Sequence, residues 1–438
     1  MKKLNIILLV LITALLFANF SPVFAEEKPN LNASNALLIH LDTNAQVYEK
    51  AADERVYPAG APKIMTAILT LEKTTNLDEK VTAKASAFKG ISAISSANIK
   101  AGEILSVKDL LYCLMVASSN EAANILAEYV SGDVNTFVEL MNKRAKELGA
   151  NNTYFTNTHG IYDSAEYSTA RDIAIIAKHA INLNGFFDFV DTATYTIPKT
   201  NLKGARLIYS NNQVLQITSS YYISYAKGIK ATATTEGGYS LISLAEKKIG
   251  KKTEQMLCVV LGCTKTADGA TLGNAFKDTK SLYNWVYSTY KVIRLIKQDD
   301  PVTEAKVQLA SGKDFVLLVS DSTVDALMPG DYTADKLEKV TTIPDKIFAP
   351  VEKGQQIGEM VLKYNNVEYG RVKLISQNEI QRNAMLYYSY QLNQFFSNIW
   401  VRIASILIAA VFILYVVYTI IYNNKRKHYR PVKRRIKF

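Results

Sequence analysis

At 438 residues, 48% of them hydrophobic, the chain exceeds one average domain and can bury more than one core. Its formal charge of +11 would fit a nucleic-acid partner, but eight cations (Lys425, Arg426, Lys427, Arg430, Lys433, Arg434, Arg435 and Lys437) follow Tyr422 and two more, Lys2 and Lys3, open the chain. The rest is nearly neutral, which excludes nucleic-acid binding as its purpose.

The residues Lys2 and Lys3, the apolar run Leu4 to Phe17 and Val23-Phe24-Ala25 have the layout of a secretory signal, residues 1–25, cleaved before Glu26. Three cysteines, Cys113, Cys258 and Cys263, are too few for a disulfide framework in an exported chain and read as small core residues. The odd spacing of Cys258 and Cys263 in a strand sends them to opposite faces. Four histidines, His40, His159, His179 and His428, show no ligand spacing, so neither a metal nor a cofactor is expected.

In chain order, Leu37 to Asp42 and Gln46 to Glu49 read as strands joined by a Thr43-Asn44 turn. The hairpin leads into the stretch on which the chain turns, Arg55 to Leu71. There Pro58-Ala59-Gly60-Ala61-Pro62-Lys63 runs into Ile64, Met65, Ala67, Ile68, Leu69 and Leu71, and Pro62 marks a helix start. Gly60 and Lys63 then lie one turn apart on one face. A serine in place of Gly60 would sit beside a desolvated lysine able to take its proton, at the positive end of a helix. This chain has the lysine and a glycine instead of the serine.

Residues Asp78 to Ala101 read as irregular; Ser106-Val107-Lys108-Asp109 is a capping box before Leu110 to Val116. Ser118-Ser119-Asn120 breaks the helical pattern, which resumes from Glu121 to Val130, so a short polar loop is held between buried helices, a common place for function. A helix over Thr136 to Leu148 stops at Gly149, and another opens at Thr169 with Asp172 answering the cap. Tyr195 to Val214 is strand-like, Lys227 to Thr232 precedes Thr235-Glu236-Gly237-Gly238, and Tyr239 to Ala245 and Met256 to Gly262 read as adjacent strands. A helix over Ala275 to Tyr287 closes an α+β domain of helices packed on an antiparallel sheet.

Short strands then follow at Tyr290 to Lys297, Ala305 to Leu309, Phe315 to Val319, Gln356 to Tyr364 and Val367 to Leu374, with an Asn365-Asn366 hairpin turn, making a small all-β domain. Met385, Tyr388, Leu392, Phe395, Phe396 and Ile399 recur at helical spacing, as in an interfacial helix. Ile403 to Tyr422 is uncharged and long enough to span a bilayer, flanked by Trp400 and by Tyr415, Tyr418 and Tyr422 as aromatic belts. The basic cluster beyond it places the tail in the cytoplasm and the large domains outside. The expected divisions are 1–25, 26–290, 291–378, 379–402, 403–422 and 423–438.

A Ser-x-x-Lys-like turn at Gly60 to Lys63, a Ser-x-Asn loop at Ser118 to Asn120 and a Lys-Thr-Gly-like strand at Lys230 to Thr232 occur in that order. With Pro58-Ala59, Lys63-Ile64-Met65-Thr66-Ala67, Ser118 to Ala123, Ser168 to Asp172 and Gly228-Ile229-Lys230, the chain from about Ala36 to Ile375 resembles the D-alanyl-D-alanine carboxypeptidases, the low-molecular-mass penicillin-binding proteins. The resemblance implies a beta-lactamase/transpeptidase-like α+β domain, then the all-β domain and a C-terminal membrane anchor in a bacterial cell membrane. It implies a serine that attacks the D-Ala-D-Ala carbonyl of the peptidoglycan stem peptide. The base position falls on Lys63, the second motif on Ser118 and Asn120, and the substrate-binding motif on Lys230, Ala231 and Thr232.

The nucleophile position falls on Gly60, which has no hydroxyl. Ala231 lacks the hydroxyl with which the family's threonine would hold the substrate carboxylate, and Thr232 adds bulk where glycine would permit close approach. Loss of a nucleophile from such a unit costs on the order of a millionfold in rate. The sequence therefore reads as a catalytically degenerate homologue that binds wall peptide or a cell-wall protein at the old cleft. Two alternatives stand beside it: an active carboxypeptidase using Ser118 activated by Lys63, and a scaffold whose outer domains and basic tail join wall machinery to a cytoplasmic or lipid partner.

Overall fold

The computed structural model describes residues 27–91, 95–250, 252–264 and 273–427. The leader and the end of the basic tail lie outside the described residues. The chain divides into two compact units, residues up to 293 with 327–332, and residues 294–326 with 333–438.

The first unit is built on a five-stranded antiparallel sheet in the order Ala45–Lys50, Asn35–His40, Lys252–Cys263, Gly238–Ile249, Ala226–Thr234. Side chains alternate across it. In the long central strand Leu257, Val259 and Leu261 enter one core with the helices Ala61–Lys73, Val107–Met115 and Asn120–Ser131, whereas Met256, Cys258 and Val260 enter a second core with the helix Gly273–Thr289. The alternation breaks at Gly262 (φ +64), where the register against the neighbouring strand shifts between Tyr239 and Leu241. This bulge returns Cys263 to the face of Cys258, so the expectation of opposite faces fails because one inserted residue reverses strand parity. The three cysteines are buried and free.

Residues 61–70 are all buried, so Ala61–Lys73 is enclosed on every side and not amphipathic; Ile64, Met65 and Ile68 have no exposed surface. Each such side chain contributes about 1.5–3 kcal/mol by leaving water. Ser106 and Asp109 form a complete capping box at the head of Val107–Met115. Thr169 caps Ala170–Ala180, but the answer from Asp172 comes from its backbone N–H, while its carboxylate accepts from Asn152 N (2.7 Å) and Thr153 Oγ1 (2.8 Å). The stretch read as irregular contains the strand Lys80–Thr82 and the 3₁₀ turn Ala85–Phe88, and the strand-like stretch after Tyr195 resolves into a small hairpin, Thr194–Ile197 with Arg206–Tyr209.

The second unit carries a six-stranded sheet ordered Leu337–Thr342, Gln356–Tyr364, Val367–Ser376, Phe315–Ser320, Pro301–Gln308, Ile347–Phe348, of which the strand Leu337–Thr342 and the two-residue Ile347–Phe348 were not foreseen. Leu337–Thr342 is almost wholly exposed, so it carries no hydrophobic alternation to read. Asn365 (φ 50) and Asn366 (φ 64) make the tight turn between two of these strands. Beyond the sheet, Asn383 caps the helix Ala384–Ser397, and Ile399–Lys427 follows, whose first 27 residues are long and apolar enough to cross a bilayer.

Candidate functional site

Gly60 is the N-cap of the Ala61–Lys73 helix, with Pro62 in its first turn, and Lys63 points inward one turn on. The second element is the loop between Val107–Met115 and Asn120–Ser131. Ser119 Oγ caps the latter helix on Ala122 N (3.1 Å), and Asn120 N donates to Ser95 O (2.9 Å), which fixes the loop from both sides. Two residues at this centre hold left-handed backbone without being glycine, Ala59 (φ 52) and Ser118 (φ 53). Such conformations cost about 1–3 kcal/mol and persist where the surroundings over-determine them. The third element is the edge strand Ala226–Thr234, whose Lys230 is 2% exposed.

These elements meet at a cleft of about 1070 Å³ whose lining includes Lys63, Ser118, Asn120, Thr232 and His159. Lys63 Nζ donates to Asn120 Oδ1 (2.9 Å) and to the backbone oxygen of His159. Lys230 Nζ donates to Ser118 Oγ (2.5 Å) and to Met115 O (2.8 Å). The pairing differs from the one expected for Ser118: its hydroxyl is held by Lys230, and Lys63 is committed elsewhere.

Position 60 is also not an open gap. A Cβ built there would lie 2.7 Å from Lys230 Cγ and 3.3 Å from both Lys230 Cβ and the Thr232 methyl, so the stem of Lys230 and the side chain of Thr232 fill the space a serine would use. Thr232 Oγ1 is buried and has no hydrogen-bond partner among the described residues. Ala231 does not face this centre; its side chain packs in the second core, and only its carbonyl is used, by Asn211 Nδ2 at 3.3 Å. Strand alternation separates Ala231 from Lys230 and Thr232.

Burial dominates the electrostatics. It pushes Lys63 down to about 7, against the pull of the Glu166 and Glu121 carboxylates, and holds Lys230 well below the usual lysine range, with the Lys63 charge adding to the effect. Burial, then the Lys63 charge, takes His159 to about 3, so its ring is neutral. Glu166 is raised to about 8 by burial, with Asp163 adding to it against the pull of backbone donors and Lys63. The sequence reading missed Glu166, His159 and Tyr57. His159 contributes a backbone oxygen, which no residue pattern announces, and Glu166 acts on Lys63 only through its charge, from the loop held by the Val56–Ser168 bridge.

A neutral lysine amine in hydrogen-bond reach of a hydroxyl is the arrangement of a serine–lysine acyl-transfer centre, here with no hydroxyl on residue 60. The Lys230–Ser118 bond yields one prediction for stability. Ser118→Ala removes one partner of a fully buried amine and lowers unfolding stability by about 1–3 kcal/mol, read as a lower denaturation midpoint. An unchanged midpoint would mean that the bond contributes nothing to folding.

A family profile described as D-alanyl-D-alanine carboxypeptidase matches residues 22–265, and one described as the C-terminal domain of penicillin-binding protein 5 matches residues 290–382. The chain is similar to the D-alanyl-D-alanine carboxypeptidase DacF of Bacillus subtilis (strain 168), 30% identical over 371 residues, which are 83% of this chain and 90% of that protein. It is 34% identical over 243 residues to the D-alanyl-D-alanine carboxypeptidase of Streptomyces sp. (strain K15), covering 53% of this chain and 82% of that one. Among solved structures, penicillin binding protein 5 from Haemophilus influenzae matches with a TM-score of 0.66 at 25% identity, over 81% of this chain and 99% of that chain. With the α+β unit and the C-terminal all-β unit both matched, the chain belongs to the D-alanyl-D-alanine carboxypeptidase family.

Proposed function

We propose that this chain is a membrane-anchored carboxypeptidase homologue that binds peptidoglycan peptide or a cell-wall partner in its cleft without acylating it. One observation carries the reading: residue 60 offers no hydroxyl, and Lys230 and Thr232 occupy the space a nucleophile's side chain would need. The apolar C-terminal helix is the anchor, and the cations after Tyr422 put the tail in the cytoplasm and the two folded units outside. Supporting the binding role, the cleft is large and internal hydrogen bonds hold the side chains at its base in place, as in a preformed ligand site.

The expected result with fluorescent penicillin is no covalent adduct on the full-length protein in detergent; a stable adduct overturns the reading. The competing enzyme reading would have Ser118 as nucleophile and is favoured only by the Lys230 amine at 2.5 Å from its hydroxyl. It requires release of D-alanine from a stem-peptide mimic that disappears in Ser118→Ala.

A further inference from the structure

Lys63, which lines the cleft, and Lys230, buried behind Ser118, are spent on protein acceptors, Lys63 on Asn120 and the His159 oxygen, Lys230 on Ser118 and the Met115 oxygen. Both are desolvated and shifted toward the neutral amine. Among the described residues lining the cleft, that leaves Glu236 as the exposed acidic side chain. A ligand carboxylate brought into this cleft would find no free cation among the described residues and would meet the Glu236 carboxylate.

The end of the cleft that carries Glu236 is aromatic. Tyr57 and Tyr162 both line it, with ring centroids 5.5 Å apart and planes inclined by 45°. Tyr57 is fixed, because its hydroxyl donates to the Gly160 backbone oxygen. The turn bearing Glu236 is held against that ring: a Cβ at Gly237 would lie 2.3 Å from Tyr57 Cδ1, and Gly237 N donates to Thr234 Oγ1 (2.9 Å). Burial raises the Tyr57 hydroxyl, and the nearby Glu166, Glu236 and Asp163 add to that rise. Tyr162 remains 48% exposed, a ring available to a ligand. Negative ring faces beside a carboxylate are the chemistry that recognises an ammonium group.

We propose that Tyr57, Tyr162 and Glu236 form a subsite for an ammonium group, so that the cleft takes an amine-bearing side chain of a peptide rather than a peptide carboxylate. This names the ligand chemistry of the binding role proposed above and rests on it for the word peptide, not for the site itself.

The test titrates full-length protein in detergent with three small probes: Nα-acetyl-lysine methylamide, the same compound acetylated at Nε, and Nα-acetyl-D-alanyl-D-alanine. A cation against a tyrosine face and a carboxylate corresponds to roughly tenfold in affinity. The free ammonium probe is therefore expected to bind about tenfold more tightly than its Nε-acetyl derivative and than the carboxylate probe. Glu236→Gln, at an exposed position, and Tyr162→Leu are each expected to remove most of that preference while leaving the unfolding midpoint unchanged. Equal affinity for the two lysine probes, tighter binding of the carboxylate probe, no binding of any probe, or a preference that survives Glu236→Gln overturns the subsite. A stem peptide that still binds with its amine acetylated overturns the subsite and leaves the wall-peptide reading standing. The free ammonium probe binding where no stem peptide does supports the subsite and removes the wall-peptide reading.

Discussion

Returning a serine to position 60 is expected to leave the protein without a penicillin adduct, whereas Gly60→Ser combined with Thr232→Gly is expected to form one. The serine Cβ would fall 2.7 Å from Lys230 Cγ, a mid-stem atom whose far end is tied to Ser118 Oγ and Met115 O, so the lysine cannot swing its tip aside to make room. The single variant should therefore lose about 1–3 kcal/mol by overpacking. Lys230 and Thr232 lie on the same face of one strand, and the Thr232 methyl flanks the same spot at 3.3 Å. Removing that methyl opens volume into which the Lys230 stem can move. The new hydroxyl then meets Lys63, which burial leaves largely unprotonated above its value of about 7 and free to accept the serine's proton. A nucleophile in such a unit is worth on the order of a millionfold in rate, so even partial recovery is visible as a fluorescent band. Equal labelling of the single and double variants would show that positions 60 and 232 act independently.

The same residues mark how far the sequence could be read. Pro62 announced the helix, the hydrophobic run after it announced burial, and the capping residues Ser106 and Thr169 set two further helix starts, because these signals are local. Gly60 was visible as a missing hydroxyl. That its space is filled was not visible, since it depends on how the strand Ala226–Thr234, with its register shift between Lys227 and Lys230, approaches a helix terminus more than 160 positions earlier. The exchange of partners, Lys230 with Ser118 and Lys63 with Asn120, has the same origin: residue types name the members of a polar cluster but not their pairing. The Cys258 and Cys263 faces were misread for a local reason, the bulge at Gly262, which a lone glycine in a strand can signal. Ala231 was assigned to the site by motif position, but strand alternation turns its side chain into the core.

Substituting Lys63 by methionine is expected to reduce the rise of stability with pH between 7 and 10, leaving the part that comes from the buried Lys230. The unfolded chain holds this proton up to the ordinary lysine value of 10.5, whereas burial makes the folded chain release it above about 7. In that window the unfolded state binds one more proton than the folded state, so stability rises with pH by about 1.4 kcal/mol per unit, roughly 4 kcal/mol over the whole interval. The cost of the buried amine is fully present below pH 7 and disappears toward 10.5. Glu166, raised to about 8, works in the opposite sense: its stabilising proton is in place below the unfolded carboxylate value and is lost as pH rises through 8. The buried thiols of Cys113, Cys258 and Cys263, raised by burial, also oppose the lysine once an unfolded thiol begins to ionise near 9. Comparing Glu166→Gln with Glu166→Gln/Lys63→Met removes the coupled carboxylate and cancels the thiols and the burial of Lys230, which acts in the same sense as Lys63, so the difference between the two denaturation curves reports Lys63 together with the push its charge exerts on Lys230. Methionine also strands Asn120 Oδ1 and the His159 oxygen, a constant loss that moves the curves apart without changing their slope. Parallel curves from pH 7 to 10 would mean that the folded chain keeps this lysine protonated, and the proton acceptor assumed for the Gly60→Ser, Thr232→Gly variant would be absent at neutral pH.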